Sequence, residues 1–106
     1  MLLDYGADVN IRDKAGNTAF SIALQQQYSQ LVGRLLDVGA NANVRFPDGN
    51  NALIQAVQNN DYETAYLLLE RNVVDVHYTN AHGKTALDIA TEKKNESLIR
   101  LLKSEQ

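Results

Sequence analysis

Short apolar stretches recur along the chain at the spacing of a helix. Within each stretch the apolar side chains stand three or four positions apart, which puts them on one face of an α-helix. They are Phe20, Ala23, Leu24, Val32, Leu35 and Leu36, then Leu53, Ala56, Val57, Ala65, Leu68 and Leu69, and finally Leu87, Ala90, Ile99 and Leu102. The pattern predicts three pairs of helices, with the first helix of each pair at 19–26, 52–59 and 86–93.

The helix pairs belong to a repeat of about 33 residues. Gly16, Gly49 and Gly83 open successive units, where a tight turn favours a residue that tolerates a positive φ. Each unit reads as turn, helix, helix and loop. We predict one domain over residues 1–106, with the end of a partial repeat at 1–10, repeats at 11–43 and 44–77, and a third repeat with a C-terminal cap at 78–106.

Capping residues mark the ends of the predicted helices. Thr18, Asn51 and Thr85 stand at the N-cap of each first helix, and Ser21 and Asp88 would complete weakened capping boxes. The second helices end at residues that favour the left-handed conformation. These are Gly6, Gly39 and Asn72. Helices of about eight residues are too short to be stable alone, so the units must stack.

Composition and charge narrow the classes of function. The chain has a net charge of -3, which predicts no binding to nucleic acid or to an anionic membrane. It contains no cysteine, which removes disulfides and thiol chemistry and fits a cytoplasmic protein. No apolar run approaches the roughly 20 residues that a membrane span needs, and Asp4 interrupts the apolar start.

These residues resemble the ankyrin repeat, which has a period of 33 residues and a T-P-L-H-x-A signature. The matching segments are 18–23, 51–56 and 85–90, with alanine at the proline position of all three. Ser21, Ile54 and Asp88 replace the histidine of the signature. The resemblance implies an all-α solenoid of stacked helix-turn-helix units with hairpin-like tips. It also implies a module that binds another protein and performs no catalysis.

In ankyrin proteins, contacts to partners usually come from the tips and from the exposed, concave side of the first helices. Carried onto this chain, the partner-binding residues are Arg12, Lys14, Asn17, Gln25, Gln26, Arg45, Phe46, Pro47, Asp48, Asn50, Gln58, Asn59, His82, Lys84, Glu92 and Lys93. The tips carry a small excess of positive charge, so we expect a mildly acidic partner segment. Arg45 and Phe46 stand out as hot-spot types, although Phe46 could instead pack on its own repeat. The mixed charges of the second helices predict a solvated outer face.

The sequence predicts no enzyme activity, no cofactor and no metal site, because it lacks the motifs that these need. The sequence lacks a Gly-x-Ser-x-Gly elbow and the glycine-rich phosphate loops. Asp75, His77 and His82 could supply three ligands to a metal, but their spacing matches no metal motif. We therefore interpret His77 as bonding nearby backbone and His82 as a solvated tip residue.

The N-terminal end leaves two alternatives open. Residues 1–10 look like the end of a second helix and its loop, so the first complete repeat lacks a cover on that side. The chain is then either a recognition or regulatory fragment of a larger enzyme, channel or effector, or it self-associates through this uncovered face. Asn10 also stands in a pattern similar to one hydroxylated in some animal ankyrin proteins, but we expect a loop asparagine that bonds backbone.

Overall fold

A computed structural model describes residues 10–104, and this part of the chain contains each predicted helix pair. The helices are α1 Ala19–Gln25, α2 Ser29–Asp37, α3 Ala52–Gln58, α4 Tyr62–Glu70, α5 Ala86–Glu92 and α6 Glu96–Ser104. Residues 10–104 form no β-strand, so the all-α prediction is confirmed. Each first helix ends one residue before its predicted end, because the last predicted residue is the C-cap.

The helices are arranged in two rows. The first helices α1, α3 and α5 contact one another in succession, and the second helices α2, α4 and α6 do the same. Each first helix also packs on the second helix of its own repeat. Because each repeat contacts its neighbours, the molecule is elongated, with extents of 41 × 24 × 20 Å. The predicted solenoid of stacked helix pairs is therefore confirmed.

Both rows contribute to one continuous core. Leu24 and Leu53 from the first helices and Leu35, Leu68 and Leu98 from the second are all fully buried, at 0% exposure. Small side chains let neighbouring first helices approach closely. These are Ala23, Ala56 and Ala90, each at most 1% exposed. Burial of this apolar surface holds together helices that are too short to form alone.

The predicted N-caps are confirmed, and two of them are stronger than expected. Thr18 Oγ1 accepts from the Ser21 amide at 3.2 Å, while Ser21 Oγ accepts from the Thr18 amide at 2.9 Å. Thr85 and Asp88 exchange the same two bonds at 3.2 and 3.0 Å. Both capping boxes are complete rather than weakened, because the short Ser and Asp side chains reach the N-cap amide as Glu or Gln would.

The turn between the two helices of each repeat uses left-handed backbone without glycine. Gln27, Asn60 and Lys94 have φ of 63°, 55° and 56°. The predicted left-handed residues after the second helices, Gly39 and Asn72, are also confirmed, with φ of 93° and 55°. Gly6 lies outside the described residues. A positive φ costs a side-chain-bearing residue free energy, so the stack stores modest strain at these turns.

Candidate functional site

The tips are narrow turns that project from the start of each repeat. Main-chain bonds close them from Asp13 N to Asn17 O at 2.8 Å, from Phe46 N to Asn50 O at 2.9 Å, and from Asn80 N to Lys84 O at 3.0 Å. The middle turn also contains a short 3₁₀ segment, Pro47–Gly49. The tips are hairpin-like, as expected.

The middle and last tips are joined to each other. Ala81 N donates to Asp48 O at 2.9 Å, and Tyr78 Oη donates to Gly49 O at 2.9 Å. Gly49 approaches the neighbouring tip so closely that a Cβ there would lie 3.0 Å from Ala81 N. These contacts fix the relative positions of the two tips and so preorganise the surface between them.

Two residues of the predicted site are buried, which corrects the expectation that they face a partner. Phe46 is 6% exposed and belongs to the core, in agreement with the alternative that it packs on its own repeat. Asn50 is 1% exposed; its Nδ2 donates to Gln55 Oε1 at 3.0 Å and its Oδ1 accepts from Asn80 Nδ2 at 2.9 Å. Both side chains therefore support the tip from within instead of lying on its surface.

Arg45 is exposed and held in place by two neighbours. Its guanidinium carbon lies 4.6 Å from the centre of the Tyr78 ring, and Nη1 donates to Asn43 Oδ1 at 2.8 Å. Such a cation–π contact orients the guanidinium while leaving it charged. Sequence reasoning missed Tyr78, because it belongs to the next repeat and no local pattern pairs it with Arg45.

The remaining tip charges are partly neutralised. Lys84 forms an ion pair with Glu92, and His82 Nε2 lies 3.6 Å from Asp48 Oδ1. Arg12 and Lys14 are exposed, and no ion pair involving either is found in residues 10–104. We give the name tip surface to the exposed residues Arg12, Lys14, Arg45, Asp48 and His82 together with the half-buried Lys84. The ion pair with Glu92 lowers by one the positive excess of charge that the sequence indicated for the tips.

The predicted helix residues form the first-helix face, made of Gln25, Gln26, Gln58, Asn59, Glu92 and Lys93. Gln25, Gln26 and Lys93 are exposed, whereas Gln58 and Asn59 are half-buried. Asn59 Nδ2 is buried without a hydrogen-bond partner in the structure. Two predicted contact residues belong to the tips instead. Asn17, at the base of the first tip, is half-buried, and the side chain of Pro47 is not among those that the structure describes. The face is dominated by uncharged amides in the first two repeats.

His77 and Asn10 each take part in a hydrogen bond of a loop. His77 N donates to Asp75 Oδ1 at 2.9 Å within a loop. Residues 10–104 contain no group of three or more His, Asp or Glu side chains that could hold a metal. Asn10 Oδ1 accepts from Asn41 N at 2.7 Å, which agrees with the interpretation of a loop asparagine that bonds backbone. No helix in the described part of the chain has the length and apolar character needed to cross a membrane.

The N-terminal side of the first described repeat is apolar. Ile11, Ile22 and Tyr28 are 68%, 44% and 56% exposed, and they line a groove of about 510 Å³. Ala19, Ala23 and Leu31 complete its apolar wall. The partial repeat predicted at 1–10 lies outside the described residues except for Asn10.

Comparison with known proteins agrees with the architecture. A family model described as ankyrin repeats in three copies matches residues 1–80 and again 27–106. No curated protein matches the chain. Ankyrin repeats are generally protein–protein interaction modules and are typically non-catalytic. The helix pairs, the capped helix starts and the tips follow the order of that repeat, and the family model matches the whole length of the chain. This chain therefore belongs to the ankyrin-repeat family.

Proposed function

We propose that this chain binds a partner protein through its tip surface and first-helix face, without catalysis. The observation that supports this most is Arg45, which is charged, exposed and held by Tyr78 from the next repeat. A side chain fixed before binding loses less entropy when a partner arrives. Arginine is also enriched among binding hot spots.

The partner segment that fits this surface is mildly acidic. Arg12, Lys14 and Arg45 have no carboxylate partner within residues 10–104, so a carboxylate of the partner could pair with them. The overall charge of -3 disfavours nucleic acid and anionic membrane. The absence of cysteine fits a cytoplasmic location, which we also propose.

Affinity capture followed by titration tests this proposal. The wild-type chain and Arg45→Glu are used to capture proteins from the source lysate, and each captured protein is then titrated in purified form. Lys103→Glu is the matched control, because it reverses an exposed cation on α6, away from the tips. We expect Arg45→Glu to lower the affinity for the partner at least tenfold and Lys103→Glu to leave this affinity unchanged. Circular dichroism should show that both variants are folded. Equal affinity of wild type and Arg45→Glu would refute the assignment.

The N-terminal groove favours a second candidate, self-association. Ile11, Ile22 and Tyr28 expose apolar surface that a second copy of the chain could cover. Sedimentation equilibrium would then show a dimer that Ile22→Asp converts to a monomer. A wild-type monomer at all concentrations would reject this candidate without affecting the first.

A further inference from the structure

A groove lies on the outer face, the side of the molecule formed by α2, α4 and α6. It has a volume of about 630 Å³ and is lined by Tyr62 from α4 together with Asn95, Ser97, Arg100, Leu101 and Ser104. The lining contains one cation and no carboxylate. This composition differs from the solvated, mixed-charge surface that the sequence predicts for the second helices.

Arg100 is the one charged residue among those that line this groove. Within residues 10–104 it forms no ion pair. Two of the other polar side chains already have partners: Asn95 Nδ2 donates to Asn60 Oδ1 at 3.1 Å, and Ser104 Oγ donates to Leu101 O at 2.7 Å. A guanidinium at the edge of a groove without acids is suited to a bidentate bond from an incoming carboxylate.

The apolar side of the groove is formed by Tyr62 and Leu101, and Tyr62 stacks on Tyr66 beside the groove. Tyr62 and Tyr66 stack with ring centres 6.4 Å apart and planes 9° from parallel, and they remain 43% and 45% exposed. Tyrosine and arginine are the residue types most enriched at binding hot spots, because each offers a large contact area together with polar groups. A stacked pair also loses little side-chain freedom on binding.

A second groove with a similar composition lies at the start of α2. It measures about 450 Å³ and is lined by Tyr28, Ser29, Gln30, Leu31 and Arg34. Arg34, like Arg100, has no ion pair among the described residues. Arg34 also lines an adjoining groove with Asp37 and Glu63, so it lies closer to carboxylates than Arg100 does, and the groove of Tyr62 and Arg100 is the better candidate.

We propose that the outer face is a second interaction surface, which binds an acidic protein segment at the groove of Tyr62 and Arg100. A carboxylate of the partner pairs with Arg100, and an adjacent apolar side chain packs on Tyr62 and Leu101. Charge complementarity selects a carboxylate-bearing peptide over an extended polyanion or an anionic membrane, because Glu63 and Glu96 on the same helices would repel a continuous negative surface. This surface acts independently of the tips.

Selection from a random 12-residue peptide library displayed on phage tests the proposal. The library is first depleted on the folded double variant Tyr62→Ser, Arg100→Gln and then selected on the wild-type chain. We expect the retained peptides to be rich in Asp and Glu beside Leu or aromatic residues. Synthetic versions of the selected peptides should bind the Arg100→Gln variant at least fivefold more weakly than they bind the wild-type chain.

Matched variants separate the outcomes. Lys103→Gln removes an exposed cation from the same helix but outside the groove, and Arg45→Glu alters the tips; neither should change the affinity of the selected peptides. The proposal is overturned if no peptide depends on the groove, if the retained peptides are not acidic, or if Lys103→Gln weakens them as much as Arg100→Gln. Binding to phosphatidylserine vesicles that depends on Arg100, without any peptide, would also overturn it in favour of a lipid surface.

Discussion

Phe46 and Asn50 show how a tip is supported by side chains that do not reach its surface. Phe46 sits at the start of the middle turn and points into the core, while Asn50 closes the turn and bonds to Gln55 and Asn80. The exposed members of the same tip, Arg45 and Asp48, remain accessible to a partner. Binding and stability are carried by different side chains of one turn.

This division of roles predicts that Phe46→Ala destabilises the fold. Truncation of a buried Phe removes apolar contacts and leaves a cavity, so we expect a loss of about 3 kcal/mol in the free energy of unfolding. Urea denaturation followed by circular dichroism measures it. Ile11→Ala, at a site that is 68% exposed, is the control and should change little. A loss below 1 kcal/mol at Phe46, on the order of a surface substitution, would contradict its place in the core.

The left-handed turns predict a stabilising substitution. Gln27 has φ of 63° and an exposed side chain, so Gln27→Gly removes the steric cost of that conformation and should raise stability by up to about 1 kcal/mol. The adjacent Gln26 has φ of -81°, and Gln26→Gly should lower stability instead, by about 0.5–1 kcal/mol. Thermal unfolding of both variants measures these changes in stability. A loss of stability in both Gln27→Gly and Gln26→Gly would contradict the account.

At the scale of elements, the contribution of the contact between the middle and last tips to stability can be measured by comparing alanine variants of two glycines. Gly49 and Gly83 have nearly equal φ of 72° and 73°, but only a Cβ at Gly49 would crowd the neighbouring tip; at Gly83 nothing lies within 4 Å. Both alanine variants should lose about 1 kcal/mol in the free energy of unfolding, because alanine tolerates a positive φ less well than glycine does. We expect Gly49→Ala to lose more, because Ala81 must move.

The difference between the two variants isolates the tip-to-tip contact. Denaturation in urea gives both free energies, and the native amide exchange of Ala81, which donates to Asp48 O, reports the same contact directly. Faster exchange at Ala81 in Gly49→Ala but not in Gly83→Ala is the expected result. Equal stability losses with unchanged exchange at Ala81 would show that the tips are not coupled.

The elements themselves could largely be predicted from the sequence. Thr18, Asn51 and Thr85 marked the helix starts within a residue, because an N-cap is a local interaction between neighbours in the chain. The contact between Arg45 and Tyr78 could not be predicted, since the two residues belong to different repeats and meet only when the repeats stack. The burial of Phe46 likewise depends on how the turn is oriented against the core.

At the scale of the whole molecule, stacking turns local repeats into extended surfaces. The first helices and tips form one side and the second helices form the outer face, and each side extends over all the described repeats. Ion pairs within the chain reduce the positive charge of the tips at Lys84 but leave Arg12, Lys14 and Arg45 without a carboxylate partner in residues 10–104. A partner segment is therefore expected to meet charge mainly at the first and middle tips.

Hydrogen exchange of the chain alone and in complex with the partner captured by the wild type tests the central claim most directly. The amides of the tips, at 12–17, 45, 46, 48, 49 and 81–84, should exchange more slowly in the complex, and so should the amides of the first helices. Protection confined to α2, α4 and α6, with the tips unchanged, would contradict the proposal that the tip surface holds the partner.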